Sequence, residues 1–337
     1  MLNNVSLLLL QLFVFTAKAI IIVLLILILL VGILSLIGRG KEKLRGKITL
    51  KHLNKKYNDI TETVMTEILP KNKLKQFLKE RKKVAKEKAT LAESTPQKNI
   101  FLVRFHGDIK ASAVENLREE VTAILGVATP HDEVVVCVES GGGMVHAYGL
   151  AASQLQRIRQ KNIPLTVIVD KVAASGGYLM ACVANKILAA PFAIIGSIGV
   201  IVQMPNFHRV LKDKHIDFEQ LTAGNYKRTL TLFGENTREG REKMREEIEE
   251  IHQLFKNLIQ EHRQQVDIEK VSTGEHWLGS QALELKLVDG NDTSDDYLLT
   301  HSLNAEIYEV CYHSKKSLGE KLSSAVKMYF PQSGIYY

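Results

Sequence analysis

Cysteine is scarce in this chain. There are three among 337 residues, Cys137, Cys182 and Cys311. An odd count excludes a fully paired disulfide framework within one chain. None of the three has a partner at metal-ligand spacing, so a cysteine-built metal site is not indicated. Cys137 lies inside Val134-Val135-Val136-Cys137-Val138, where a small buried apolar residue is expected. A net positive balance is also lacking outside one segment. Between Arg39 and Thr90 stand 17 Lys and Arg against 6 Asp and Glu, a balance of +11, so the rest carries about −4 of the net +7. That distribution argues against a nucleic-acid-binding domain, whose basic residues would spread over a folded face. No internal repeat is evident.

One long apolar run is present. Ala19 to Ile37 is 19 residues without a charge, about the length that crosses a bilayer as a helix. A mainly apolar stretch, Val5 to Ala17, precedes it, and Lys18 stands between the two. No small-residue cleavage site ends the run, which points to a retained anchor over residues 1–38 and not to a removed signal peptide. Arg39, Lys41, Lys43, Arg45 and Lys47 follow at once, whereas Met1 to Ser6 hold no Lys or Arg. The positive-inside rule then places the bulk of the chain in the cytoplasm, with anionic lipid head groups of the bilayer as partners of the basic cluster.

Residues 39–98 read as a basic connector, helical or partly disordered. From Asn99 the pattern changes. Ile100–Phe105 reads as a strand, Ala113–Leu125 as an amphipathic helix, Val134–Val138 as a strand and Val145–Gln160 as a helix. Leu165–Val169 is the next strand, Gly177–Val183 a helix, Ile187–Ala189 a short strand and Arg241–Gln264 a long charged helix. Such alternation implies an α/β domain of parallel strands with helical crossovers over 99–300. Residues 301–337 read as a C-terminal extension of a strand and a helix, the helix over Leu318–Phe330.

The chemistry gathers on two turns. Asp170-Lys-Val-Ala-Ala-Ser-Gly-Gly-Tyr178 follows the strand Leu165–Val169 and presents one hydroxyl, Ser175, backed by two glycines. A serine on a strand-to-helix turn points its oxygen into a cleft, and glycines beside it let a substrate backbone approach. The residues around Ser175 do not form the Gly-x-Ser-x-Gly elbow. Glu139-Ser140-Gly141-Gly142-Gly143 likewise joins a buried strand to a helix. Backbone amides at such a turn bind an anion: a phosphate, or the oxyanion of acyl transfer. Met144-Val145 follow in place of the Lys-Ser/Thr ending of a phosphate-binding loop. A serine nucleophile needs a base. His146 and His276 qualify by type, and so does a lysine held neutral by desolvation and nearby positive charge. Lys227, in Thr222-Ala223-Gly224-Asn225-Tyr226-Lys227-Arg228, has aromatic cover and a second cation beside it.

At these residues the chain resembles the membrane-bound serine peptidases of the signal peptide peptidase A group. The matching stretches are VESGGGMVHAYGLAASQLQRIRQKNIPLTV, DKVAASGGYLMACVANKI, APFAIIGSIGV and TAGNYKRTLTLFGENTREGREK, within Phe101 to about Val288. The resemblance implies a ClpP/crotonase-like fold behind an N-terminal transmembrane helix, and a single-pass protein of the bacterial inner membrane. The group's catalytic domain commonly lies outside the cytoplasm, opposite to the charge rule. Ser175 matches the nucleophile, Lys227 the general base, and Ser197 in Gly196-Ser197-Ile198-Gly199 a serine that orients the lysine. The oxyanion hole would use the backbone of Gly142 or Gly143 with that of Ser175. No metal or organic cofactor is implied. The substrate would be a peptide, such as a signal-peptide remnant or a damaged membrane protein. Relatives form homo-oligomers in which the serine of one subunit meets the lysine of the next. Two motifs depart from the group: Ser140-Gly141-Gly142-Gly143 where Ser-Pro-Gly-Gly is usual, and Lys286-Leu287-Val288-Asp289 where Gly-Leu-Val-Asp is usual. The rival functions are an acyl-CoA enzyme on the same fold, for which no adenine-nucleotide site is evident, and a non-catalytic membrane scaffold.

Overall fold

The computed structural model describes residues 13–27, 29, 46–94 and 97–314. The chain divides into two units, one of them Ile48–His313, which carries everything below. Residues 13–27 are helical and expose their large apolar side chains. No helix among the described residues is long and apolar enough to cross a membrane. This corrects the expected single-pass placement in the bacterial inner membrane, and the bilayer loses its support as a partner. Residues 28 and 30–37 of the expected span, the basic cluster over 39–45 and the expected helix over 318–330 lie outside the described residues.

At the start of this unit come strand β1 (Lys47–His52), from Ile48 onward, and two helices, α1 (Leu53–Ile68) and α2 (Lys71–Ser94), all within the segment read as a connector. Then β2 (Asn99–Gly107), α3 (Val114–Leu125), β3 (Glu133–Ser140), α4 (Val145–Gln160) and β4 (Leu165–Val169) follow as the alternating pattern expects. A group of short elements comes next: β5 (Val172–Ala174), α5 (Gly176–Ala181), β6 (Lys186–Ala189), β7 (Ile194–Gly196) and α6 (His208–Asp213). The long helix α7 (Arg238–His262) precedes α8 (Ile268–Val271), β8 (His276–Leu278), α9 (Gly279–Glu284), β9 (Gly290–Asn291), α10 (Ser294–His301) and β10 (Glu306–His313).

Among the described residues the sheet runs β1-β10-β2-β3-β4-β6-β9. Each pair from β10 to β9 is parallel. A spur leaves it at the end of β3: β5 pairs with β3 and β7 in parallel, and β7 pairs with β8 antiparallel, so the sheet is mixed. β10 lies between β1 and β2, which draws the last described strand into the body of the sheet.

The central strands are apolar along their whole length because both faces are covered. In β2 and β3, Phe101, Val103, Phe105, Val134, Val136 and Val138 join the core under α3 and α4. Ile100, Leu102, Val135 and Cys137 join the core of the opposite face with Leu298 of α10. Each such side chain contributes about 1.5–3 kcal/mol by leaving water. This two-sided burial fixes β2, β3 and β4 as a rigid base. The turns that carry the candidate chemistry spring from the C-terminal ends of β3 and β5.

Candidate active site

Ser175 sits between β5 and α5 with φ 51° and ψ −118°. A residue with a Cβ pays on the order of 1–3 kcal/mol in such backbone, so the surroundings must hold it there. They do so on two sides. The Ser175 N–H donates to the Gly196 carbonyl at 2.7 Å, continuing the β5–β7 register beyond Ala174 and Gly196. Behind it, a Cβ on Gly176 would lie 2.4 Å from Tyr148 Cγ, and one on Gly177 would lie 2.5 Å from the Ser140 carbonyl oxygen. The two glycines that made the motif conspicuous are steric requirements of α5 packing against α4 and the end of β3.

The glycine turn lies against this corner. Gly142 has φ 90°, and a Cβ there would approach the Gly176 nitrogen and Ser175 Cβ, each at 2.7 Å. Gly143 packs so closely on the Ile109 carbonyl that a Cβ would fall 2.1 Å from its oxygen. The N–H of Gly142 is already used, donated to Ser140 Oγ at 3.0 Å. The Ser175 N–H is used as well, on Gly196. Among the described residues, the N–H groups of Gly143 and Gly176 have no such acceptor. Gly176 opens α5, where the first N–H groups have no partner inside the helix.

Gly143, Ser175 and Gly176 together border a cleft of about 340 Å³. The rest of its wall is almost wholly apolar: Val145, Leu179, Val200 and Ile201, with Ile251, Leu254, Phe255 and Leu258 from α7. Tyr148 lines it too, and burial pushes its phenol above the ordinary value, so the hydroxyl keeps its proton at neutral pH. Ser197 lies beside Ser175, one residue past the paired Ala174 and Gly196, and shares its φ of 51°. Its N–H donates to the Glu275 carbonyl at 2.6 Å.

The other sequence candidates lie elsewhere. Lys227 is exposed, in a segment of bends and turns between α6 and α7, and is not part of the cleft wall. Its N–H donates to the Gly224 carbonyl at 3.2 Å. His146 at the start of α4 and His276 in β8 are exposed and do not line the cleft. The single chain thus brings Ser175, Ser197 and the glycine turn together but leaves every candidate base outside. The apolar wall from α7 and the place of Tyr148 in it had no sequence signal, because a stripe of Ile, Leu and Phe on a helix reads the same whether it covers a core or a cleft.

With the geometry described, known proteins give context. Residues 7–155 match the model described as "Peptidase family S49 N-terminal", and residues 157–307 match "Peptidase family S49". A relative from Haemophilus influenzae, "Probable protease SohB", is 46% identical over 299 residues, covering 86% of this chain and 84% of that protein. Another "Probable protease SohB", from Buchnera aphidicola, is 54% identical over 230 residues, 68% of each chain. A solved structure of a point mutant of the "1510-N membrane-bound stomatin-specific protease", in complex with a substrate peptide, aligns with a TM-score of 0.43 at 14% identity, covering 69% of this chain and all of that one. Two family models that together run from residue 7 to residue 307, and relatives of this identity and coverage, establish that the chain belongs to peptidase family S49, with SohB-type proteases among its relatives.

Proposed function

We propose that this S49 peptidase is a serine endopeptidase on a ClpP/crotonase-like fold, with Ser175 as nucleophile and Lys227 as general base. The observation that carries the reading is Ser175 itself: a strained hydroxyl at the mouth of an apolar cleft, flanked by two N–H groups that have no acceptor among the described residues. A neutral lysine amine takes the proton of Ser175 Oγ as that oxygen attacks the scissile carbonyl. The carbonyl oxygen gains negative charge and accepts hydrogen bonds from the oxyanion hole. We assign those donors to Gly143 and Gly176, because the Gly142 and Ser175 amides are spent on Ser140 and Gly196. A donor on the residue after the nucleophile is the usual arrangement on strand-to-helix turns. The protonated lysine then gives its proton to the leaving amine, and water releases the acyl-enzyme by the same route in reverse.

The exposure of Lys227 and its absence from the cleft wall support a dyad shared between copies. Docking against a neighbour would desolvate the amine, which favours its neutral, basic form. Ser197, alongside Ser175, would accept or donate a hydrogen bond to orient it. The apolar wall suits extended apolar peptides, signal-peptide remnants among them, bound as an added strand beside Gly141–Gly143.

The test uses an unfolded protein substrate and a fluorophosphonate label with mass mapping. Ser175→Ala and Lys227→Ala should each lower turnover by at least about a thousandfold while assembly persists, with the label on Ser175 of the unmutated enzyme. Ser197→Ala should cost less. Turnover near the parent's in either dyad variant would refute the assignment.

A further inference from the structure

The turn that brings Gly143 to Ser175 is tied to the body of the domain by side chains that no step above uses. Ser140 ends β3 at 2% exposure, and Tyr148, one turn into α4, is fully buried. The Gly142 N–H donates to Ser140 Oγ at 3.0 Å. Ser140 Oγ and the Tyr148 hydroxyl oxygen lie 2.5 Å apart. The Tyr148 hydroxyl donates to the Asp108 carbonyl at 2.8 Å. A phenol has one proton, and this one is committed to Asp108, so the serine must be the donor in the Ser140–Tyr148 bond. The directions are then fixed along the whole chain: Gly142 to Ser140, Ser140 to Tyr148, Tyr148 to Asp108.

Glycines make the space for it. A Cβ on Gly107 would lie 2.4 Å from the Tyr148 hydroxyl and 2.6 Å from Ser140 Oγ. On the other side, the ring of Tyr148 fills the position where Gly176 would carry a Cβ. Tyr148 therefore packs directly on the residue after the nucleophile, and reaches through Ser140 to the residue before Gly143.

We propose that Tyr148 is a positioning residue: with Ser140 it sets the spacing and orientation of the two oxyanion donors, Gly143 and Gly176, with respect to Ser175. The proposal rests on the reading of Ser175 as nucleophile. Removing the phenol oxygen leaves the ring in place against Gly176 but frees Ser140, and with it Gly142, to rotate. A hydrogen-bond donor aimed at the transition state matters little for ground-state binding, so the loss should fall on kcat.

The test compares Tyr148→Phe, Ser140→Ala, their double variant and Tyr297→Phe in the full-length oligomeric enzyme. Tyr297 supplies a matched control, since its hydroxyl donates to the buried Glu133 carboxylate at 2.6 Å on the other face of the sheet. Turnover of the unfolded protein substrate, fluorophosphonate labelling rates and thermal midpoints are measured for each. Tyr148→Phe should lower kcat and the labelling rate about tenfold with KM within about twofold. Ser140→Ala should lower kcat similarly, and the double variant no further than the worse single one. Tyr297→Phe should lower the midpoint with kcat unchanged. Parental kcat in Tyr148→Phe, additive losses in the double variant, or an equal kcat loss in Tyr297→Phe would each overturn the positioning role. Should Tyr148→Phe fail to fold, parental kcat in Ser140→Ala overturns it alone. Ser175→Ala is run alongside: if it retains hydrolysis, the nucleophile assignment falls and takes this proposal with it. If Ser175→Ala is inactive while Tyr148→Phe matches the parent, only the positioning role is lost.

Discussion

Left-handed backbone costs any residue with a Cβ on the order of 1–2 kcal/mol, and three of the non-glycine residues that adopt it here tell different stories. Ser175 and Ser197, both at φ 51°, stand side by side just past the paired ends of β5 and β7, and Ser175 borders the cleft. Lys286, at φ 61°, lies after α9 and takes no part in the cleft. Its carbonyl accepts from Arg263, a bond that any residue at 286 can make. Lys286→Gly should therefore remove strain without touching the chemistry. Allowing for the greater freedom of glycine in the unfolded chain, the net gain is about 1 kcal/mol, a rise of roughly 2 °C in the melting midpoint. Peptidase activity should stay at the parent's level; a lower midpoint would mean that the lysine side chain makes a contact worth more than the strain. At this scale the sequence was informative about residue type and silent about bonding. Ser175 and the glycine turn stood out because small residues at two strand-to-helix junctions are unusual. Which glycine amide is free could not be read, because that depends on the rotamer of Ser140 and on the β2–β3 register that sets Gly107 opposite it.

The long elements were legible for a plain reason. β2, β3 and β4 are buried on both faces, and α3 and α4 carry apolar stripes against them, so their periodicity runs over enough residues to be read. The spur of β5, β7 and β8 was not, since three-residue strands hold too little pattern to separate from a turn. Yet that spur carries Ser175 to the cleft and sets Ser197 beside it. Strand β1, within the segment read as a connector, had no legible pattern for a related reason: KITLKH mixes Lys into the strand because an edge strand is exposed on one side. Helix α4 adds one residue with no structural excuse. Gly149 is in its interior, and a Cβ there would meet no atom within 4 Å, yet glycine costs an α-helix about 1 kcal/mol relative to alanine. The open space is the cleft, whose wall Gly149 forms. Gly149→Ala should stabilise the helix by up to that amount and make the cleft shallower. Mapping cleavage sites in an unfolded substrate should then show preference moving from large apolar side chains toward small ones. An unchanged map, with the midpoint raised, would mean that this part of the cleft does not hold the substrate.

In the whole molecule, the segment between β7 and α7 is the anomaly. Phe207, Phe218 and Phe233 cluster with ring centroids about 6 Å apart, and each remains more than 40% exposed. Ile201, Ile216 and Leu221 are exposed nearby in sequence, and Leu221 is 96% so. Exposed apolar surface of this extent is what an interface with a partner would cover, and Lys227 lies in the same segment of the chain. A second copy of the chain is the partner that would give both features a use, bringing the amine to a cleft that lacks a base. In a ring of heterologous contacts, each site would take its serine from one protomer and its lysine from the next. Equal amounts of Ser175→Ala and Lys227→Ala protomers, dissociated and reassembled at random, should then restore about a quarter of the parental activity, since half the serines and half the lysines are intact at independent positions. Each variant reassembled with itself should remain inactive. If serine and lysine came from the same chain, no mixture could contain a complete site. Mixed assemblies verified by mass and still inactive would thus place the dyad within one protomer and require the segment carrying Lys227 to fold back over its own cleft.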